Sequence, residues 1–115
     1  MISKAKVFLD FEDFDLIDIR IGTIIKAINF EEVNKPAYQL LIDFGSLGQL
    51  KSSAQITQLY LPNKLIGKQV IAVVNLGQKK ILNFKSQCLV LGVSTKKGIS
   101  LLEPNLKIQN GSIVI

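Results

Sequence analysis

The chain has 115 residues, 48% of them hydrophobic, and a formal charge of +5. That length fits one domain with one core, and the composition excludes a disordered chain. No stretch approaches the roughly 20 apolar residues of a membrane helix, and the start, with acids inside its first fifteen residues, is unlike a signal peptide, so a cytoplasmic protein is expected.

The elements follow in chain order. Residues 1–18 read as an N-terminal extension. Within it, Phe8, Phe11 and Phe14 recur every three residues, a spacing that suits a short helix or turn with one apolar face. Residues 19–30, "IRIGTIIKAINF", are rich in β-branched side chains and predict a long strand. Gly22 inside it marks an expected bend or bulge. A polar loop ending at Pro36 leads to "AYQLLIDFG", where Tyr38, Leu40, Ile42 and Phe44 share one face. This alternation predicts a half-buried second strand.

"LKSSAQI" predicts a third strand, with Lys51, Ser53 and Gln55 on one face and Leu50, Ser52, Ala54 and Ile56 on the other. Pro62 and Gly67 bracket an expected helix over 63–66. "KQVIAVVNL" predicts a fourth strand apolar enough to be buried on both faces. "KKILNF" and "SQCLVLGV" predict a fifth, bent strand; "TKKG" a hairpin turn; "ISLLEP" a short strand; and "NGSIVI" a turn into a last strand. Three strands, a helix, then further strands is the order of an OB-fold. The expected class is therefore all-β: a five-stranded Greek-key barrel with a short helix between strands 3 and 4 and extra terminal segments, one domain over 1–115.

The chemistry is that of binding. There is no histidine, hence no ordinary general base near neutral pH, and a single cysteine. Neither a zinc site nor a Cys–His pair can be assembled from these residues. Asp13, Asp15 and Asp18 lie close in sequence, a pattern usual for a solvated or capping face. Cys88 sits in an apolar strand, as a small core residue would. A non-enzyme without metal or cofactor is expected.

The charge is uneven. Residues 1–45 carry five basic and eight acidic side chains, a net −3; residues 46–115 carry nine lysines and one acid, a net +8. "NLGQKKILNFKSQCLVLG" holds Lys79, Lys80 and Lys85 with no acid beside them. Such asymmetry points to a face that meets phosphates or an acidic protein. On an OB barrel, Lys51, Ser53, Gln55, Asn75, Lys79, Lys80, Lys85 and Ser86 would form it. The lysines would neutralise phosphates, and the Ser, Asn and Gln side chains would exchange hydrogen bonds. Alternatively, Ser53 and Ser86 satisfy strand-edge backbone groups. Aromatics for stacking are few, Tyr60 and Phe84 being the nearest, which favours recognition of a folded RNA by shape and backbone.

Several blocks, "FDLIDIRIGTI", "LLIDFG", "KSSAQIT", "LIGKQVIAVVNL" and "NFKSQCLVLG", agree in order and spacing with the tRNA-binding-domain family. The chain resembles that family from about Phe11 to its end, and most of all its CsaA subgroup of export-related chaperones. The resemblance implies an OB-fold homodimer that binds tRNA or structured RNA, or unfolded and exported polypeptides at apolar grooves near the dimer interface. Asn75, Lys80, Lys85 and Ser86 match its motif N-L-x-x-[KR]-[KR]-I-x-x-x-K-S, and Lys51, Ser53 and Gln55 match its third-strand block. Where the family commonly has Ser-Glu-Gly-Met, this chain reads Ser86, Gln87, Cys88, Leu89, a change shared in kind with the subgroup. Docking on a synthetase is a further partner to be considered. Phe8, Phe11 and Phe14 at one end and Ile113, Val114 and Ile115 at the other are too apolar to leave in water. They are the expected dimer interface, unless they fold back on their own barrel.

Overall fold

The computed structural model describes residues 4–115. A long first strand, β1 (Ile19–Asn29), organises the barrel. Its C-terminal half pairs antiparallel with β2 (Tyr38–Asp43), and its N-terminal half with β4 (Gln69–Val73). β3 (Gln49–Ala54) pairs with β2, and the two-residue β7 (Leu89–Val90) with β4, giving the order β3-β2-β1-β4-β7. This is a nearly closed five-stranded antiparallel barrel, the OB-fold architecture.

The alternation of β2 holds: Tyr38, Leu40 and Ile42 point inward with Phe44 just beyond, while Gln39, Leu41 and Asp43 stay half-buried. They join Ile24, Ile56, Leu65, Val70, Ala72, Cys88 and Leu101 in one core. In β4, Val70, Ala72 and Val73 are buried while Gln69 and Ile71 on the other face stay half-buried, so the strand is covered on both faces but less completely on one. Helix α2 (Pro62–Leu65) is a single turn opened by Pro62; Leu65 is its only buried residue, and Gly67 closes it at φ 87°.

Several expectations are corrected. Gly22 is not the bulge. The irregularity lies between Ile24 and Lys26, at Ile25. Gly22 instead allows β1 to press on β2's face, where a Cβ would stand 2.7 Å from both Ile42 and Phe44 side-chain atoms. The bent fifth strand is four short ones. β5 (Lys79–Ile81) and β6 (Phe84–Ser86) form a hairpin, β7 returns to the main sheet, and β8 (Gly92–Thr95) pairs with β9 (Gly98–Leu101) across the predicted Thr95–Gly98 turn. No regular last strand forms. The C-terminal segment lies along β1 through Gly111 N–H to Ile21, Ile21 N–H to Ser112 and Val114 N–H to Ile19, with one bridge at Ile113.

The N-terminal extension contains one short helix, α1 (Phe11–Asp15), with no buried residue. Phe8, Phe11 and Ile115 are almost fully exposed, and Phe14 and Ile113 are also in solvent. Of the two apolar ends, the C-terminal one folds back along β1 through its backbone while leaving the Ile113 and Ile115 side chains in solvent, and the Phe8–Phe14 segment buries none of its residues. Among the described residues, no helix is long and apolar enough to cross a membrane.

Candidate nucleic-acid interface

The β5–β6 hairpin sorts the lysines. Its register pairs Lys79 with Ser86, Lys80 with Lys85 and Ile81 with Phe84. Cross-strand partners share a face and neighbours alternate. Lys79, Ile81, Phe84 and Ser86 therefore turn toward the barrel, and Lys80 and Lys85 stand together on the outer side. Burial agrees for Ile81, Phe84 and Ser86, which are half-buried, while Lys79 is exposed like the two outer lysines. Two like charges directly opposite destabilise a hairpin. Neither lysine is in an ion pair; the only ion pairs among the described residues are Arg20–Asp18 and Lys68–Glu103.

Residues 86–88 are buttoned to the edge of β3. Gln87 N–H donates to the Lys51 carbonyl (2.7 Å), Lys51 N–H to Gln87 Oε1 (2.9 Å), Ser53 N–H to Ser86 Oγ (3.0 Å), and Ser52 Oγ–H to the Cys88 carbonyl (2.9 Å). Beyond Ser53 the two edges part. A groove of about 640 Å³ opens between Ser53–Ile56 on one side and Leu89–Gly92 on the other, with the β4–β5 loop above it. Ser53, Gln55, Lys79 and Ser86 line it, so half of the eight residues expected at the site converge there. Ser86 also does the plainer job weighed from the sequence, accepting from a strand-edge amide.

The other four lie elsewhere. Lys80 and Lys85 form the outer pair. Lys51 sits on the open sheet face, its Nζ 5.5 Å from the centre of the Phe84 ring. Asn75 is engaged in structure: its Nδ2–H donates to the Leu16 carbonyl (2.7 Å) and its Oδ1 accepts from Asp18 N–H (2.9 Å). Both ends of the amide hold the N-terminal extension, so this exposed residue acts as a clamp on that segment. Tyr60 is also withdrawn from stacking; its hydroxyl accepts from Leu101 N–H and its carbonyl from the Tyr38 hydroxyl.

Lys26 had no place among the expected residues. The bulge at Ile25 turns it outward, level with Leu41, which is in turn level with Lys51. In an unbroken β1, Lys26 would share the inward face of Ile24, and nothing in the sequence announces the slip. Cys88 is a core residue as expected; burial pushes its thiol up to about 11, opposed by a hydrogen bond from Ser52, so the reactive thiolate is scarce.

The family model of tRNA binding domains, tRNA_bind, matches residues 19–113. The chain belongs to the tRNA-binding domain family. Among curated relatives, the methionine–tRNA ligase of Methanothrix thermoacetophila is 31% identical over 108 residues, covering 94% of this chain and 16% of the ligase. The domain thus spans about a sixth of such relatives. Among solved structures, the chaperone CsaA of Bacillus anthracis str. Ames is 47% identical with a TM-score of 0.90, over 95% of this chain and 100% of that one. The CsaA chaperone protein of Picrophilus torridus is 45% identical with the same TM-score, over 94% and 100%. This member of the family therefore has the architecture of those CsaA chains, and its matched span runs from the start of β1 through the C-terminal segment that lies against it.

Proposed function

We propose that this domain binds tRNA or another structured RNA without catalysing a reaction, in the cytoplasm and as a homodimer. The observation that carries the reading is the Lys80–Lys85 pair: two cations held opposite each other on an exposed hairpin, at a cost to the fold. A phosphate between them offsets that repulsion. Lys79 and Ser86 on the inner side, with Ser53 and Gln55 across the groove, supply further contacts to a backbone. The apolar ends support the dimer. Phe8, Phe11, Phe14 and Ile113 to Ile115 lie on extensions that one barrel leaves largely uncovered. Two copies joined there would merge two basic faces into a longer surface and gain avidity.

The test is Lys80→Glu, which swaps a repulsive pair for an attractive one. The variant is expected to unfold at slightly higher denaturant, by about 0.2–1 kcal/mol, and to lose most of its affinity for labelled tRNA in fluorescence anisotropy. Wild-type binding should fall steeply with salt, because phosphate contacts release counterions. Unchanged affinity in the variant overturns the reading.

A second reading is favoured by one observation. The groove walls are largely apolar, with Leu76, Ile81, Leu89 and Ile99 among them, and similar chains are chaperones. Capture of an unfolded or exported polypeptide there would depend much less on salt than RNA binding does.

A further inference from the structure

Outside the groove, on the open face of β1–β2–β3, lies a smaller depression of about 140 Å³. Its lining is Lys26, Ile28, Gln39, Leu40–Leu41, Lys51 and Phe84. Strand register explains the arrangement. Lys26, Leu41 and Lys51 form one row across three strands, and Ile28, Gln39 and Ser53 the next. The two lysines thus stand about 10 Å apart, two strand spacings, with an apolar floor between them. Phe84 forms one wall. Its ring packs on the buried Phe30, centroid to centroid 5.5 Å, and the Lys51 ammonium lies 5.5 Å from its centre.

The parts are those of a nucleotide site. A flat aromatic face of fixed orientation takes a base by stacking. Leu41 and Ile28 shield the base's other edges. The half-buried Gln39 carboxamide offers both a donor and an acceptor to a base edge. Lys26 and Lys51, both exposed and in no ion pair among the described residues, flank the depression where the phosphates on either side of that base would run. Its volume suits one base and no more. Phe84 is also the only aromatic lining it, so a run of stacked bases has no platform.

We infer that this face holds a single unpaired nucleotide of the bound RNA, its base on Phe84 and its flanking phosphates on Lys26 and Lys51. The inference rests on the RNA reading and narrows it: the preferred RNA has an unstacked base near a folded segment gripped by Lys80 and Lys85. An arriving base displaces the Lys51 ammonium from the ring, and the freed cation meets the phosphate.

The experiment compares two RNAs of equal length by anisotropy, a stem–loop and a blunt, fully paired duplex. The wild-type protein is expected to bind the stem–loop about tenfold more tightly, the worth of one stacked base. Phe84→Leu keeps apolar packing on Phe30 but removes the flat face; it should erase the preference and leave duplex affinity unchanged. Gln39→Ala, a smaller change, should reduce the preference without altering the unfolding midpoint, which covers the case in which Phe84→Leu folds poorly. Equal wild-type affinities overturn the inference while leaving the RNA reading intact. Binding of neither RNA overturns both. A titration with each of the four mononucleotides, followed by amide NMR, supplies the last arm. Saturable shifts at Gln39, Leu41 and Phe84 without any stem–loop preference assign the depression to free nucleotides and overturn the RNA assignment.

Discussion

The side-chain amide of Asn75 spans the Leu16 carbonyl and the Asp18 amide, at 2.7 and 2.9 Å, and Val74 N–H reaches the Asp18 carbonyl at 2.8 Å. One residue thus fastens the N-terminal extension to the end of β4, a few residues before the basic hairpin. Asn75→Ala removes two hydrogen bonds at an exposed site, a loss of about 1–2 kcal/mol. It should speed hydrogen exchange at Asp18 and proteolysis between residues 10 and 17, and weaken the proposed dimer. RNA affinity per protomer should change little, because the amide is already occupied.

The Gly22 position follows from crowding. A methyl there meets Ile42 and Phe44 atoms at 2.7 Å, and both are fully buried. Gly22→Ala should cost about 1–3 kcal/mol by overpacking, read as a lower midpoint in urea. An unchanged midpoint would mean that β1 and β2 separate more easily than the packing implies.

At the tip of the β5–β6 hairpin, Leu82 has φ 54° with its side chain in solvent. A leucine resists that conformation and glycine does not. Leu82→Gly should stabilise the fold by about 0.5–1 kcal/mol, seen in thermal unfolding, with no loss of core packing.

Cys88 gives a pH-dependent signature. Burial disfavours the thiolate and pushes the thiol up to about 11, above the ordinary range of a free cysteine. Its contribution to stability is complete below pH 9 and is lost as the pH climbs from 9 through 11. Alkylation by iodoacetamide at pH 8 should be slow in the native protein and fast in denaturant. Cys88→Ser should flatten the stability decline in that alkaline window.

The C-terminal residues test the dimer. Deleting Ile113 to Ile115 removes the Ile113 bridge to Arg20 and the Val114 bond to Ile19, along with two exposed isoleucines. Monomers are expected in sedimentation velocity, and a persistent dimer would assign the interface to the Phe8–Phe14 extension alone.

Much of this molecule is decided locally and is legible in its sequence. Period-two burial at Tyr38, Leu40 and Ile42, the apolar run of β4 and the Pro62 start of a one-turn helix each follow from neighbours a few residues apart. So does the concentration of unpaired lysines between 79 and 85, since composition needs no coordinates. Which way those lysines face was decided only by the tertiary structure. A two-residue turn at Leu82–Asn83 fixed a register that pairs Lys80 with Lys85 and places Lys79 on the groove side. A bulge at Ile25 rotated Lys26 onto the face of Lys51, and the distant Leu16 and Asp18 engaged both ends of the Asn75 amide. The reason is physical: alternation reports which residues share a face within one strand, whereas a site is made across strands. There a one-residue slip reverses every side chain beyond it, at a position the sequence does not mark.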